Sequence, residues 1–83
     1  MSYSVYILYS KSKDHYYVGY SDDVDKRLIK HNLGATRSTR PGRPWALVYT
    51  ESYEKKKDAI KREGYIKRQK SRVYIEKLIK SGN

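Results

Sequence analysis

Two tyrosine-rich runs stand five polar residues apart at the start of this chain, and that spacing leaves little choice of local fold. Residues 3–9, Tyr-Ser-Val-Tyr-Ile-Leu-Tyr, and 15–20, His-Tyr-Tyr-Val-Gly-Tyr, are rich in the β-branched and aromatic side chains that suit a pleated surface. The intervening Ser10-Lys11-Ser12-Lys13-Asp14 is polar and short, so the runs close into an antiparallel hairpin. A register symmetric about that turn sets Tyr6 opposite Tyr17 and Ser4 opposite Gly19. Side chains alternate with period two, so all four share one face of the sheet. Gly19 on that face leaves the backbone open to close approach.

The remainder divides into alternating helix and strand signals. Residues 22–32 begin with Asp22 and Asp23, acids that suit a helix N-terminus, and end at Asn32 and Gly34. Residues 34–44 carry Arg37, Arg40 and Arg43 among Gly, Pro, Ser and Thr, which predicts a basic loop. Trp45 to Glu51 reads as a third strand. Lys55 to Gln69 is a second helix with Ala59, Ile60 and Ile66 at helical spacing. Ser71 caps a last helix whose apolar stripe is Tyr74, Ile75, Leu78 and Ile79. The expected fold is α+β, with a small three-stranded antiparallel sheet flanked by helices in the order β-β-α-β-α-α.

Eighty-three residues make one domain, 1–83, and a chain of this size buries only about 60% of its unfolded surface. There are 19 Lys and Arg against 9 Asp and Glu, a net charge of +10. A polyanion is the natural partner of such a surface, bound through its phosphates by counterion release. Cysteine is absent, which excludes disulfides, thiolate zinc sites and cysteine nucleophiles. No apolar run approaches the roughly 20 residues of a membrane span, and no secretion signal opens the chain, so no membrane partner and a cytoplasmic location are expected.

Two helices carry charge where an apolar stripe belongs. Val24, Arg27, Leu28 and His31 follow the i, i+3, i+4, i+7 rule and lie on one face. On the second helix Glu63 falls in line with Ala59, Ile60 and Ile66, one of just two acids among nine Lys and Arg in residues 55–72. The plain alternatives are a snorkelling Arg27 and a Glu63 paired with Arg27 or a nearby Lys. Convergence of these inward polar groups beside a sheet face bearing Tyr6 and Tyr17 makes a better site than a core. A single carboxylate suits a hard cation such as Mg²⁺, which keeps several waters and takes other ligands from a substrate phosphate. Phosphodiester cleavage needs an activated water, charge relief and help for the departing oxygen. Tyr6, Arg27, His31 and Glu63 cover those needs.

On these residues the sequence resembles the GIY-YIG endonuclease superfamily, especially small stand-alone bacterial members related to the N-terminal nuclease domain of the excinuclease ABC incision protein. Ser4-Val5-Tyr6 stands for the first tripeptide and Tyr17-Val18-Gly19 for the second. Asp23-Val24-Asp25-Lys26-Arg27-Leu28 and His31-Asn32 follow, then Arg43-Pro44, Leu47-Val48-Tyr49, Ala59-Ile60-Lys61-Arg62-Glu63 and Ile66-Lys67. Ser4 replaces the usual Gly. Some branches use a late Asn; here Asn83 is terminal, and no role is carried to it. The resemblance implies a divalent-metal-dependent DNA endonuclease, a phosphodiester hydrolase serving DNA repair or recombination. In it Tyr6 acts as general base or water positioner, Tyr17 shapes the site, Arg27 stabilises the transition state, His31 assists by proton transfer or phosphate contact, and Glu63 holds one Mg²⁺ or Mn²⁺.

An unperturbed phenol has a pKa of about 10, so a standing Tyr6 phenolate at pH 7 costs roughly 4 kcal/mol unless a cation offsets it. Arg37, Arg40, Arg43, Lys61, Arg62, Lys67 and Arg68 are the candidate phosphate contacts along a nucleic acid, DNA by the resemblance. Core or sheet packing is the expected use of Tyr16, Tyr20 and Trp45, and His15 belongs to the strand surface. No base-reading element is visible, so strong site specificity calls for a protein partner. The competing expectation is a non-catalytic nucleic-acid-binding adaptor with the same fold and basic surface.

Overall fold

In a computed structural model that describes residues 2–82, with Met1 and Asn83 outside the described residues, the two tyrosine-rich runs are strands β1 (Tyr3–Ser10) and β2 (His15–Ser21). Helix α1 (Val24–Leu33), one 3₁₀ turn (Arg40–Gly42), β3 (Trp45–Tyr53), α2 (Lys56–Gln69) and α3 (Arg72–Ser81) complete the order β-β-α-β-α-α. The sheet is antiparallel with β1 in the middle, in the order β2-β1-β3.

The hairpin register differs from the symmetric expectation by two residues: Tyr6 lies opposite Gly19 and Ser4 opposite Ser21, while Tyr17 faces Leu8. The strand continues to Ser10, whose buried hydroxyl accepts the Lys13 N–H at 3.2 Å, and Asp14 closes the turn in a left-handed conformation with φ 53. The turn therefore spans residues 11–14. A slip of two preserves parity, so Ser4, Tyr6, Tyr17 and Gly19 still share a face.

That parity sorts the core into two layers. Val5, Ile7 and Val18 meet Ala59 and Ile66 of α2 on one face, joined by Ile75 and Leu78 of α3. Tyr6, Leu8 and Trp45 occupy the other face with Tyr17 and with Val24 and Leu28 of α1. One extra residue in β3 makes this possible. Ile7 pairs with Tyr49 but Leu8 pairs with Leu47, so Val48 is a bulge. Strict alternation would put Trp45, Tyr49 and Glu51 on one face; the bulge sends Trp45 to the α1 side and Tyr49, Glu51 and Tyr53 to the α2 side.

Local chemistry sets the helix ends. The Asp23 side chain accepts the Lys26 N–H at 3.1 Å to start α1, and Gly34 ends it at φ 80, where a side chain would be strained. Ser71 accepts the Tyr74 N–H at 3.1 Å to start α3. On the outer end of the hairpin, Arg72 of α3 pairs with Asp14 at 2.7 Å and with Glu76 at 3.1 Å, tying α3 to the turn.

Beneath α2 and α3, Glu51 accepts hydrogen bonds from Tyr49, from Tyr53 at 2.6 Å and from Arg62 at 2.9 and 3.0 Å. Burial pushes the Glu51 carboxyl up, but the hydrogen bonds from Arg62, Tyr49 and Tyr53 outweigh it and hold the pKa below its ordinary value. Burial and the Glu51 carboxylate together push both phenols up to about 12. Removing one partner strands the other's charge in a half-buried site. Glu51→Ala is expected to cost about 2–4 kcal/mol, read as a lower midpoint in urea denaturation; an unchanged midpoint would show that the cluster does not hold α2 to the sheet.

Candidate active site

Tyr6 comes from the central strand and is 1% exposed, so its ring is packed within the protein. The ring lies across Gly19, directly opposite on β2: a Cβ there would stand 2.6 Å from the Tyr6 hydroxyl and 3.1 Å from the Tyr17 ring. The glycine is thus required by close approach. The hydroxyl is 3.0 Å from His31 Nε2, and His31 is fully buried on α1. Tyr17 meets the same imidazole edge to face at 4.9 Å and Trp45 at 6.2 Å.

The chain of contacts continues past His31. Its Nδ1 is 2.8 Å from the hydroxyl of Thr39, which is 2% exposed in the loop after α1. The Thr39 hydroxyl lies 3.3 Å from the Thr36 carbonyl, and the Thr39 carbonyl accepts the Trp45 indole N–H at 2.7 Å. Asn32 clasps the backbone of Trp45 on both sides, accepting its N–H at 2.6 Å and donating to its carbonyl at 3.0 Å.

Arg27 lies one turn before His31 on α1. Its Nε is buried and has no hydrogen-bond partner among the described residues. A buried donor left unpaired costs about 1–3 kcal/mol, a cost that an anion bound there would offset. Burial raises the Tyr6 pKa; the Arg27 guanidinium opposes that rise, while Tyr17 and the Glu63 carboxylate add to it. The net direction is upward, so the cation does not make a standing phenolate. Burial, with Arg27 adding to it, lowers the His31 pKa.

Glu63 arrives from the other layer. Its side chain is 18% exposed and pairs with Lys67 at 3.2 Å, and the Lys67 ammonium sits 5.9 Å above the Tyr17 ring on the α1 side of the sheet. Lys67 thus sets the pair beside Tyr17, and Glu63 is near enough to act on the Tyr6 phenol. Arg27 itself lines an open cleft of about 530 Å³, together with Tyr3, Tyr20, Ser21, Asp22, Asp23, Lys26, Lys30 and Lys56. The geometry supplies a proton-carrying contact, a half-buried cation with one buried unpaired donor, a carboxylate and a lysine-bearing cleft. These are parts suited to a phosphate ester.

The other candidate residues are dispersed. Arg37, Arg40 and Arg43 belong to the loop, where Arg40 Nε donates to the Gly34 carbonyl and Arg43 Nε to the Arg40 carbonyl, each at 2.9 Å. Lys61 and Arg68 are exposed on α2, Lys67 holds Glu63, and the Arg62 guanidinium is committed to Glu51. Trp45 is buried and Tyr16 donates to Glu76 at 3.2 Å, so both serve packing. Sequence reasoning passed over Thr39, which looks like any polar loop residue, and over Lys26, Lys30 and Lys56, whose shared cleft forms only where α1 and the start of α2 come together.

Gly19→Ala is expected to drive the Tyr6 ring off the backbone and destabilise by about 1–3 kcal/mol, with loss of the Tyr6–His31 contact in a crystal or NMR structure. An alanine variant as stable as the parent would contradict the close approach. A second expectation concerns pH. Folding lowers the His31 pKa below its ordinary 6.5, so the unfolded chain binds the extra proton. That contribution is complete above the unfolded value and is lost as pH falls below it. The melting temperature should fall from pH 7 to pH 5, and His31→Gln should flatten that slope; an equal slope in both proteins excludes His31 as its source.

Comparison with known proteins agrees over nearly the whole chain. A family model described as the GIY-YIG catalytic domain matches residues 2–78. A UPF0213 protein of Staphylococcus saprophyticus is 47% identical over 64 residues, covering 75% of this chain and 78% of that one. One from Staphylococcus aureus is 47% identical over 67 residues, 80% of each. The solution NMR structure of a UPF0213 protein from Bacillus halodurans superposes with a TM-score of 0.63 at 36% identity, covering 100% of this chain and 88% of that one.

Proposed function

The chain belongs to the GIY-YIG family, and from that premise we propose that it is a divalent-metal-dependent DNA endonuclease, hydrolysing a phosphodiester by in-line attack of water. The observation that carries the reading is the half-buried Arg27 guanidinium, whose buried Nε is unpaired among the described residues, against the Tyr6 phenol that meets His31. A nucleic-acid phosphate is the anion that completes it.

In this reading Tyr6 positions the attacking water and accepts its proton, and Tyr17 walls the site. Arg27 donates to the phosphate oxygens as charge builds in the transition state, where a fixed donor contributes most. His31 shares the proton that Tyr6 handles. Because Tyr6 has a raised pKa, it works as a neutral phenol passing a proton on, which avoids the cost of a standing phenolate.

Among the described residues no three of His, Cys, Asp and Glu gather as a metal cage. The single oxygen-donor carboxylate of Glu63 suits one hard ion, Mg²⁺ or Mn²⁺, that takes its other ligands from water and substrate. When bound, such an ion supplies Lewis-acid charge to the phosphate. Glu63 would hold it, and Lys67 would be released from Glu63 to the DNA backbone.

Arg37, Arg40, Arg43, Lys61, Lys67 and Arg68 make phosphate contacts, with Lys26, Lys30 and Lys56 guiding the strand along the cleft by Arg27. Arg62 is assigned to the Glu51 cluster. Contacts of this kind neutralise phosphates without reading bases, so the favoured targets are defined by DNA structure, as in repair or recombination, with a protein partner adding site choice. No described helix is long and apolar enough to cross a membrane, which accords with a cytoplasmic setting.

The test is incubation of wild type, Glu63→Ala and Arg27→Ala with labelled duplex, flap and branched DNA, with and without Mg²⁺. Glu63→Ala should lose cleavage and keep its DNA, and Arg27→Ala should lose about 10²–10³ in rate with little change in affinity. Cleavage lost only in proportion to affinity would refute these roles. A wild type that never cleaves, whose DNA affinity rises in Glu63→Ala, would favour the adaptor.

A further inference from the structure

Thr39 has no part in the roles above, yet it is 2% exposed and 2.8 Å from a fully buried imidazole. The direction of each hydrogen bond in that chain can be worked out from which groups have protons to give. A hydroxyl donates one proton. The Thr39 hydroxyl has the Thr36 carbonyl, a pure acceptor, at 3.3 Å, and His31 Nδ1 at 2.8 Å. At the other end the neutral Tyr6 phenol also has one proton to place, and His31 Nε2 is the acceptor within reach among the described residues, since the Arg27 guanidinium on the same oxygen can only donate.

Only one tautomer serves both ends. With Nδ1 protonated, His31 donates to Thr39, Thr39 donates to the Thr36 carbonyl, and Nε2 accepts the Tyr6 proton. With Nε2 protonated, the buried phenol proton has no acceptor, and the Thr39 hydroxyl must turn from the Thr36 carbonyl, which keeps the Thr39 and Arg40 N–H groups at 3.2 and 3.1 Å, to donate to Nδ1 instead.

We propose that Thr39 is a positioning residue that locks His31 in the Nδ1-protonated tautomer, leaving Nε2 open to receive the Tyr6 phenol proton. The anchor is rigid, since the Thr39 carbonyl holds the indole of buried Trp45 and Asn32 grips the Trp45 backbone next to His31 on α1. The catalytic consequence rests on the nuclease reading. Water gives a proton to Tyr6 Oη while the phenol's own proton passes to Nε2. The resulting hydroxide forms the new P–O bond, the departing oxygen leaves with its electron pair and takes a proton from solvent, and the extra proton on His31 returns through Tyr6 to solvent.

The experiment is ¹⁵N-correlated NMR of the ring nitrogens in free protein, simple to assign because the chain has two histidines, together with cleavage and DNA-binding assays of Thr39→Val and Thr39→Ser. Wild type and the serine variant should show a protonated Nδ1 and an unprotonated Nε2. Valine, similar in shape without the hydroxyl, should shift the population toward protonated Nε2 and slow cleavage about 10–100-fold at unchanged DNA affinity, and serine should restore the rate. Wild-type His31 protonated at Nε2, or a valine variant with unaltered tautomer, would overturn the assignment. A wild type that cleaves no DNA counts against the nuclease reading alone, while the ring-nitrogen spectra still decide what Thr39 does to His31.

Discussion

A phenol on the middle strand of a three-stranded sheet, covered by helices on both faces, has to find its hydrogen-bond partner within the protein. Tyr6 is in that position, 1% exposed, and His31 is the group that meets it. An unmet buried hydroxyl costs a few kcal/mol, so this contact constrains what surrounds it. The α1 helix must present His31 to the sheet, Gly19 must lack a side chain, and the loop after α1 must return to supply Thr39. Trp45 then closes the layer and links the loop to β3.

The two layers of the molecule are built differently. On the α2 side the polar cluster of Glu51, Arg62, Tyr49 and Tyr53 is closed on itself, each charge answered by another. On the α1 side Arg27 has a buried donor without a partner among the described residues, and Lys67, paired with Glu63, lies over the Tyr17 ring. A closed network stabilises, whereas an open one is poised for a ligand. The single-residue bulge at Val48 separates the two by sending neighbouring β3 side chains to opposite faces.

Much of this was legible from residue order. Apolar spacing placed both long helices to within a residue or two, and the misfit of Arg27, His31 and Glu63 on their faces pointed to a site, because charge on an apolar stripe requires a reason. The hairpin was legible as a hairpin but not in its register, since turn length depends on Ser10 accepting the Lys13 N–H and on Asp14 accepting the Tyr9 hydroxyl of β1. Two residues of slip left the faces correct and the partners wrong.

Sequence alone determined the element order, the net positive charge and the charged residues on the apolar stripes of both helices, because these follow from short-range periodicity and charge. Tertiary structure decided which groups touch. The bulge that reverses β3, the return of Thr39 to His31 and the Arg62–Glu51 pair all join residues from different elements of the chain. Contacts of that kind depend on how layers dock, and nothing within a single helix or strand encodes them.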